Sequence, residues 1–159
     1  MFISPFVASP FPVVRHMLEL AQLKKGEVFF DLGAGDGRTL IMATKDFGAA
    51  QAVGIELRED LAEKASTSIR ELGLQDRVKI IQRDMFTVDV HAADVVFLYL
   101  TTSANEKVKP KLESELRSGA RVVSHDYEIL GWKPTKTENF CENPQLGYPS
   151  HTIYVYRKE

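Results

Sequence analysis

The sequence predicts an α/β fold, a mostly parallel, doubly wound sheet of seven strands that ends in an antiparallel hairpin. Three observations carry that expectation. Short apolar runs alternate with helical stretches from residue 13 to residue 124. A glycine-rich turn, Asp31-Leu32-Gly33-Ala34-Gly35-Asp36-Gly37, joins the first run to the helix after it. Beyond Ser124 the alternation gives way to two segments of period two. Parallel strands buried on both faces read as near-continuous apolar runs, and a hairpin needs only a short connection between its strands.

The elements follow in order. Val13, Met17, Leu20, Ala21 and Leu23 mark one face of a helix that stops at Lys24-Lys25-Gly26. Residues 27–32 form the first strand and enter the glycine turn, and the helix from Thr39 to Phe47 ends at Gly48. Ala52 to Glu56 is the second strand, Asp60 to Leu72 a helix stopped by Gly73, Val78 to Ile81 the third strand, and Asp94 to Tyr99 the fourth. Asn105 to Leu116 has helical spacing that Pro110 interrupts, and Ala120 to Ser124 is the fifth strand. Lys136 to Phe140 and Thr152 to Tyr156 complete the hairpin, with Ile153 and Val155 on one face and Tyr154 and Tyr156 on the other.

A chain of 159 residues with 44% hydrophobic content buries about two-thirds of its extended surface. That supports a single domain over 1–159. The 20 basic and 22 acidic residues leave a formal charge of -2 without a block of basic residues, which argues against a nucleic-acid partner. Cys141 has no partner for an intrachain disulfide, and no apolar run is long enough for a membrane span; the expectation is a soluble, cytoplasmic monomer. His16, His91, His125 and His151 are far apart in sequence, and no metal is expected.

Gly33, Gly35 and Gly37 permit a tight turn and a close ligand approach at the end of the first strand. The next helix offers free N–H groups to an anion, either a phosphate or the methionyl carboxylate of S-adenosylmethionine. Arg38 stands where a dinucleotide motif has its third glycine, and the turn lacks the Gly-Lys of a Walker motif. Asp31 and Asp36 would repel a pyrophosphate but suit a methionyl ammonium group.

Glu56, at the end of the second strand, suits the hydroxyls of a ribose, which NAD also carries. Asp84 and Met85 follow the third strand and suit the adenine amino group and ring. Tyr99, after the fourth, is expected to wall a methyl channel, and Thr101 to orient an acceptor, with Thr102 as the alternative helix cap. His125-Asp126-Tyr127-Glu128 reads as a segment that either supports the site from behind or belongs to the acceptor site. The Pro-rich segment 1–12, with Phe2, Phe6 and Phe11, is expected to cover the channel.

The chain resembles the small archaeal class I protein-lysine methyltransferases, which are related to eukaryotic seven-strand lysine methyltransferases acting on mitochondrial proteins. The resemblance runs through Ser4-Pro5-Phe6-Val7, the glycine turn with Arg38, Val53-Gly54-Ile55-Glu56-Leu57, residues 105–113, and residues 119–132 with their Val-Val-Ser-His and Gly-Trp. It implies a Rossmann-like class I methyltransferase fold, S-adenosylmethionine as methyl donor with S-adenosylhomocysteine as product, and protein lysine as acceptor. It also implies cofactor contacts from Ala34 and Leu57. The channel residues it suggests are Phe6, Tyr99, Thr101 and Tyr127.

Where amino-group methyltransferases acting on adenine or glutamine carry Asn/Asp-Pro-Pro-Tyr, this chain has Tyr99-Leu100-Thr101-Thr102. That departure argues against those acceptors. A small-molecule or nucleic-acid methyltransferase and a non-catalytic cofactor-binding subunit are the alternatives. Lysine has a pKa of about 10.4, so attack on a sulfonium methyl needs desolvation to a neutral amine.

Overall fold

The computed structural model describes residues 7–159. Seven strands form one sheet: β1 (Val28–Asp31), β2 (Gln51–Ile55), β3 (Val78–Ile81), β4 (Val95–Leu98), β5 (Arg121–His125), β6 (Lys136–Cys141) and β7 (Ser150–Arg157). Their spatial order is β3-β2-β1-β4-β5-β7-β6. The first five are parallel, and β7 lies antiparallel to both β5 and β6. The order reverses between β1 and β4, which makes their carboxyl ends the place where an open α/β sheet takes its ligand.

Among the described residues four α-helices flank the sheet: α1 (Phe11–Leu20), α2 (Arg38–Lys45), α3 (Glu59–Glu71) and α4 (Thr102–Glu115). Because side chains alternate along a strand, each strand feeds two apolar layers. Phe29, Val95, Phe97, Val123, Ile153 and Val155 pack on one face with α1 and α2. Phe30, Val96, Leu98, Val122 and Tyr156 pack on the other with Val108 and Leu112 of α4. The alternation expected of the hairpin is thus present in β7, which feeds both layers, while the edge strand β6 stays half-buried to exposed.

Local departures from the expected boundaries have simple causes. Helix α1 begins at Phe11, inside the segment expected to be irregular; Pro12 sits in its first turn, where a missing N–H loses no helical hydrogen bond. Helix α4 continues through Pro110. The α4 cap is Thr101, not Thr102: the Thr101 hydroxyl accepts the Ala104 N–H at 3.2 Å. Among the described residues no helix is long and apolar enough to cross a membrane.

Candidate active site

A cleft of about 210 Å³ lies at the switch between β1 and β4, lined by Asp31, Gly33, Thr39, Glu56, Arg58 and Tyr99, with Val7, Ala8 and Ser9 along one side. The glycine turn that shapes it has Gly35 at φ 56° and Gly37 at φ 84°, left-handed values that a side chain disfavours. The turn is fastened to β2. Ala34 donates its N–H to the Ile55 carbonyl at 3.0 Å, and Gly35 donates its N–H to Glu56 Oε1 at 2.7 Å. Gly54 lets the two segments approach: a Cβ there would stand 2.6 Å from Ala34 Cβ and 2.5 Å from a Leu40 methyl.

Asp31 and Asp36, alike in the sequence, differ in the fold. Asp31 is buried, with Oδ1 accepting the Gly33 N–H at 3.0 Å and Oδ2 accepting the Thr39 hydroxyl. Burial pushes its pKa up to about 6, against the lowering effect of those two donors. Asp36 is held by Arg38, whose Nη2 lies 2.8 Å from its Oδ2. Burial raises the Asp36 pKa, but the Arg38 guanidinium and N–H outweigh it and leave the carboxyl below its ordinary value. Of these two aspartates, only Asp36 is ion-paired among the described residues.

Glu56 has both oxygens oriented by backbone, Oε1 by Gly35 and Oε2 by the Arg58 N–H at 3.0 Å. Leu57, beside it, is 65% exposed. Asp84 is exposed and caps the turn Met85–Thr87 by accepting the Phe86 N–H at 2.9 Å; Met85 packs against the apolar layer that contains Phe30 and Val96. Leu57, Asp84, Met85 and Thr101 lie outside the lining of the cleft. Phe6 lies outside the described residues.

The side expected to take the acceptor is aromatic. The Tyr99 ring lies 4.0 Å from the His125 ring and 6.4 Å from Tyr127. Burial first, then the nearby Asp126 and Tyr127, push the Tyr99 phenol above its ordinary pKa, so it stays neutral. Asn105, buried on α4, donates from Nδ2 to the Tyr127 carbonyl at 3.2 Å and holds the turn after β5 against the helix. Asp126, at φ 65° in that turn, accepts the Thr152 N–H at 3.0 Å.

Arg38 and His151 were not read from the sequence as site residues, and Ser9 was read only as part of the covering segment. Arg38 clamps Asp36 and lies 4.6 Å from the Phe11 ring centroid. Ser9 Oγ lies 2.7 Å from His125 Nδ1, and His125 Nε2 lies 2.8 Å from His151 Nδ1. His125, Asp126 and His151 come within 4.8 Å of one another, although the two rings are in direct hydrogen-bond contact.

The residues fit S-adenosylmethionine. Asp31 offers a buried carboxylate to an ammonium group, Glu56 offers oriented acceptor oxygens to a diol, and at Gly33 a Cβ would meet only a Leu100 methyl at 3.8 Å, so the backbone is open to a ligand. The N–H groups of Gly33, Ala34, Gly35, Gly37 and Arg38 are already taken by Asp31, Ile55, Glu56, Ala34 and Asp36, so for a carboxylate the turn offers the positive end of the α2 dipole in place of the free N–H groups expected from the sequence.

Comparison with known proteins agrees. The chain is 42% identical to a protein-lysine N-methyltransferase of Saccharolobus islandicus, covering 96% of this chain and 92% of that protein. It is 31% identical to the mouse adenine nucleotide translocase lysine N-methyltransferase, of which it spans 56%. The fold matches, with a TM-score of 0.85 and 40% identity, a crystal structure described as an RNA methyltransferase from Salinibacter ruber in complex with S-adenosylhomocysteine; the match covers 95% of this chain and 93% of that one. The model of the ANTKMT methyltransferase domain matches residues 31–136. With that match and the archaeal relative spanning nearly all of its length, the chain belongs to the ANTKMT methyltransferase domain family and takes its methyl group from S-adenosylmethionine.

Proposed function

We propose that this protein methylates the side-chain amine of lysine in protein substrates. The observation that carries the reading is the archaeal relative, a protein-lysine N-methyltransferase similar over 92% of its own length. The cleft supports it chemically. Tyr99 lines it with an aromatic surface, backed by the buried His125 ring and by Tyr127, where the amine loses water.

When bound, S-adenosylmethionine supplies an electrophilic methyl on a sulfonium. Asp31 accepts hydrogen bonds from the methionyl ammonium, and the Gly33–Gly37 turn with the N-terminus of α2 faces the methionyl carboxylate. Glu56 takes the ribose hydroxyls, while Asp84, Met85 and Leu57 serve the adenine. Tyr99 walls the channel, Tyr127 stands behind it, and Thr101 fixes the start of α4 by capping. Of the segment expected to cover the channel, Val7, Ala8 and Ser9 line one side of the cleft. The whole chain acts as one domain, a monomer in the cytoplasm, where the lone Cys141 stays reduced.

Transfer to RNA is the second reading, favoured by the description of the Salinibacter ruber structure. A net charge of -2 weighs against it, since RNA binding draws on a basic surface. The two are separated by incubating the purified protein with methyl-labelled S-adenosylmethionine and either source-cell proteins or source-cell RNA. Protease-sensitive label is expected; label that only nuclease removes would reverse the assignment.

A further inference from the structure

A lysine ammonium has no lone pair for attack, so the acceptor must lose a proton near neutral pH. An ordered row of groups leads outward from the cleft. Ser9 lines the cleft and is 4% exposed. Its Oγ lies 2.7 Å from Nδ1 of His125, which is 0% exposed. On the other edge of that ring, Nε2 lies 2.8 Å from Nδ1 of half-buried His151 on β7. Resting on the lysine reading above, we propose that Ser9, His125 and His151 form a proton relay that carries the acceptor's ammonium proton from the cleft to solvent.

Each link accepts on one side and donates on the other. In the starting arrangement the Ser9 O–H donates to His125 Nδ1, His125 Nε2–H donates to His151 Nδ1, and His151 carries its proton on Nε2. Ser9 Oγ takes a proton from lysine Nζ as its own passes to His125 Nδ1. The His125 Nε2 proton then passes to His151 Nδ1, and His151 releases its Nε2 proton to water. The freed Nζ pair forms the new C–N bond as the methyl's C–S bond breaks, with that bond's electrons remaining on sulfur. One proton leaves per methyl transferred. Once the product departs, water in the cleft takes a proton from Ser9 while His151 gains one from solvent, and the starting tautomers return.

The groups facing His125 suit a conduit. Asp126 Oδ2 lies 3.6 Å from Nε2, His151 approaches from β7, Tyr99 covers the ring from the end of β4 with Tyr127 beyond it, and Ser9 approaches from the N-terminal segment. Burial pushes His125 down to about 4, against the pull of Asp126 and with a further push from His151. A ring so weakly basic is neutral at pH 7 and hands protons on without storing them. The short contact between the two rings makes them partners in this row, in preference to separate ligands around a cation.

The test measures kcat from pH 6 to 10 with saturating lysine-bearing protein for wild type, Ser9→Ala and His151→Phe, together with the Kd of S-adenosylhomocysteine. A relay predicts kcat lower on the order of 10²-fold at pH 7 in both variants. Cofactor affinity should stay within about twofold, and the deficit should shrink as pH nears the lysine pKa of about 10.4 and deprotonation needs no help. His125→Asn, which removes the middle link, should repeat the pattern; the two outer variants keep the proposal falsifiable if that buried change prevents folding. Unchanged turnover, an equal loss at every pH, a parallel loss of cofactor affinity, or loss of wild-type turnover on chelation would each overturn the relay. Wild-type protein that labels RNA and no lysine would overturn the acceptor reading and the relay together. Wild-type lysine transfer with pH-independent variants would overturn the relay alone.

Discussion

Glu56 Oε1 accepts the Gly35 N–H at 2.7 Å, so the carboxylate at the end of β2 and the glycine turn are one rigid unit. Glu56→Ala removes both that tie and the acceptor assigned to the ribose. Charge-assisted hydrogen bonds contribute about 1.5–3 kcal/mol, so affinity for S-adenosylhomocysteine should fall roughly 10- to 100-fold while the fold persists. Calorimetry on the folded variant checks this. Unchanged affinity would remove Glu56 from the ribose site.

Asp31 makes stability fall with rising pH in a defined window. Its folded pKa of about 6 lies above the ordinary 3.8. Its contribution to stability is therefore fully present below about 3.8 and is lost as pH rises to about 6. Asp31→Asn keeps an acceptor for Gly33 and a partner for Thr39 without the buried charge, and should raise the apo Tm at pH 7.5. Cofactor binding runs the other way, because the methionyl ammonium favours the ionised form. Wild-type affinity should rise about tenfold between pH 5 and 7 and level off, whereas the Asn variant should bind weakly with little pH dependence. Titration calorimetry at several pH values reads both; a flat wild-type profile would remove Asp31 from the ammonium site.

Tyr99 acts by surface, since its phenol is held protonated. Tyr99→Phe should keep kcat within about threefold, and Tyr99→Ala should lower it on the order of 10²-fold, the scale on which misplacing reacting atoms acts. S-adenosylhomocysteine affinity should change much less. A collapse in the Phe variant would point to a chemical role for the hydroxyl.

Gly54 tests the close approach of β2 to the glycine turn. The Cβ of Gly54→Ala would sit 2.6 Å from Ala34 Cβ. Overpacking a tight core costs about 1–3 kcal/mol, which should appear as a Tm drop of several degrees together with weaker cofactor binding. Equal thermal stability would mean that the turn accommodates the methyl freely.

The sheet was legible because its central strands are covered on both faces, so Phe29-Phe30, Val95-Val96 and Val122-Val123 read as unbroken apolar pairs although each pair divides between two layers. The glycine turn was legible because its left-handed backbone at Gly35 and Gly37 is a local property. What stayed hidden depends on register. His125 and His151 meet only because β7 runs antiparallel to β5 with His125 opposite Ile153. Ser9 joins them only because residues 7–9 lie along the cleft. Asp31 and Asp36 looked equivalent until the start of α2 brought the Arg38 guanidinium onto Asp36. The cap at Thr101 in place of Thr102 turned on a single residue of helix boundary.

The most direct test of the central claim is mass spectrometry of a lysine-bearing protein from the source cell after incubation with this enzyme and S-adenosylmethionine. The account predicts methyl mass increments on lysine side chains, one S-adenosylhomocysteine formed per methyl, and loss of both with Glu56→Ala at low cofactor concentration. Stoichiometric S-adenosylhomocysteine with every increment on a nucleotide or a small molecule, and none on lysine, would contradict it.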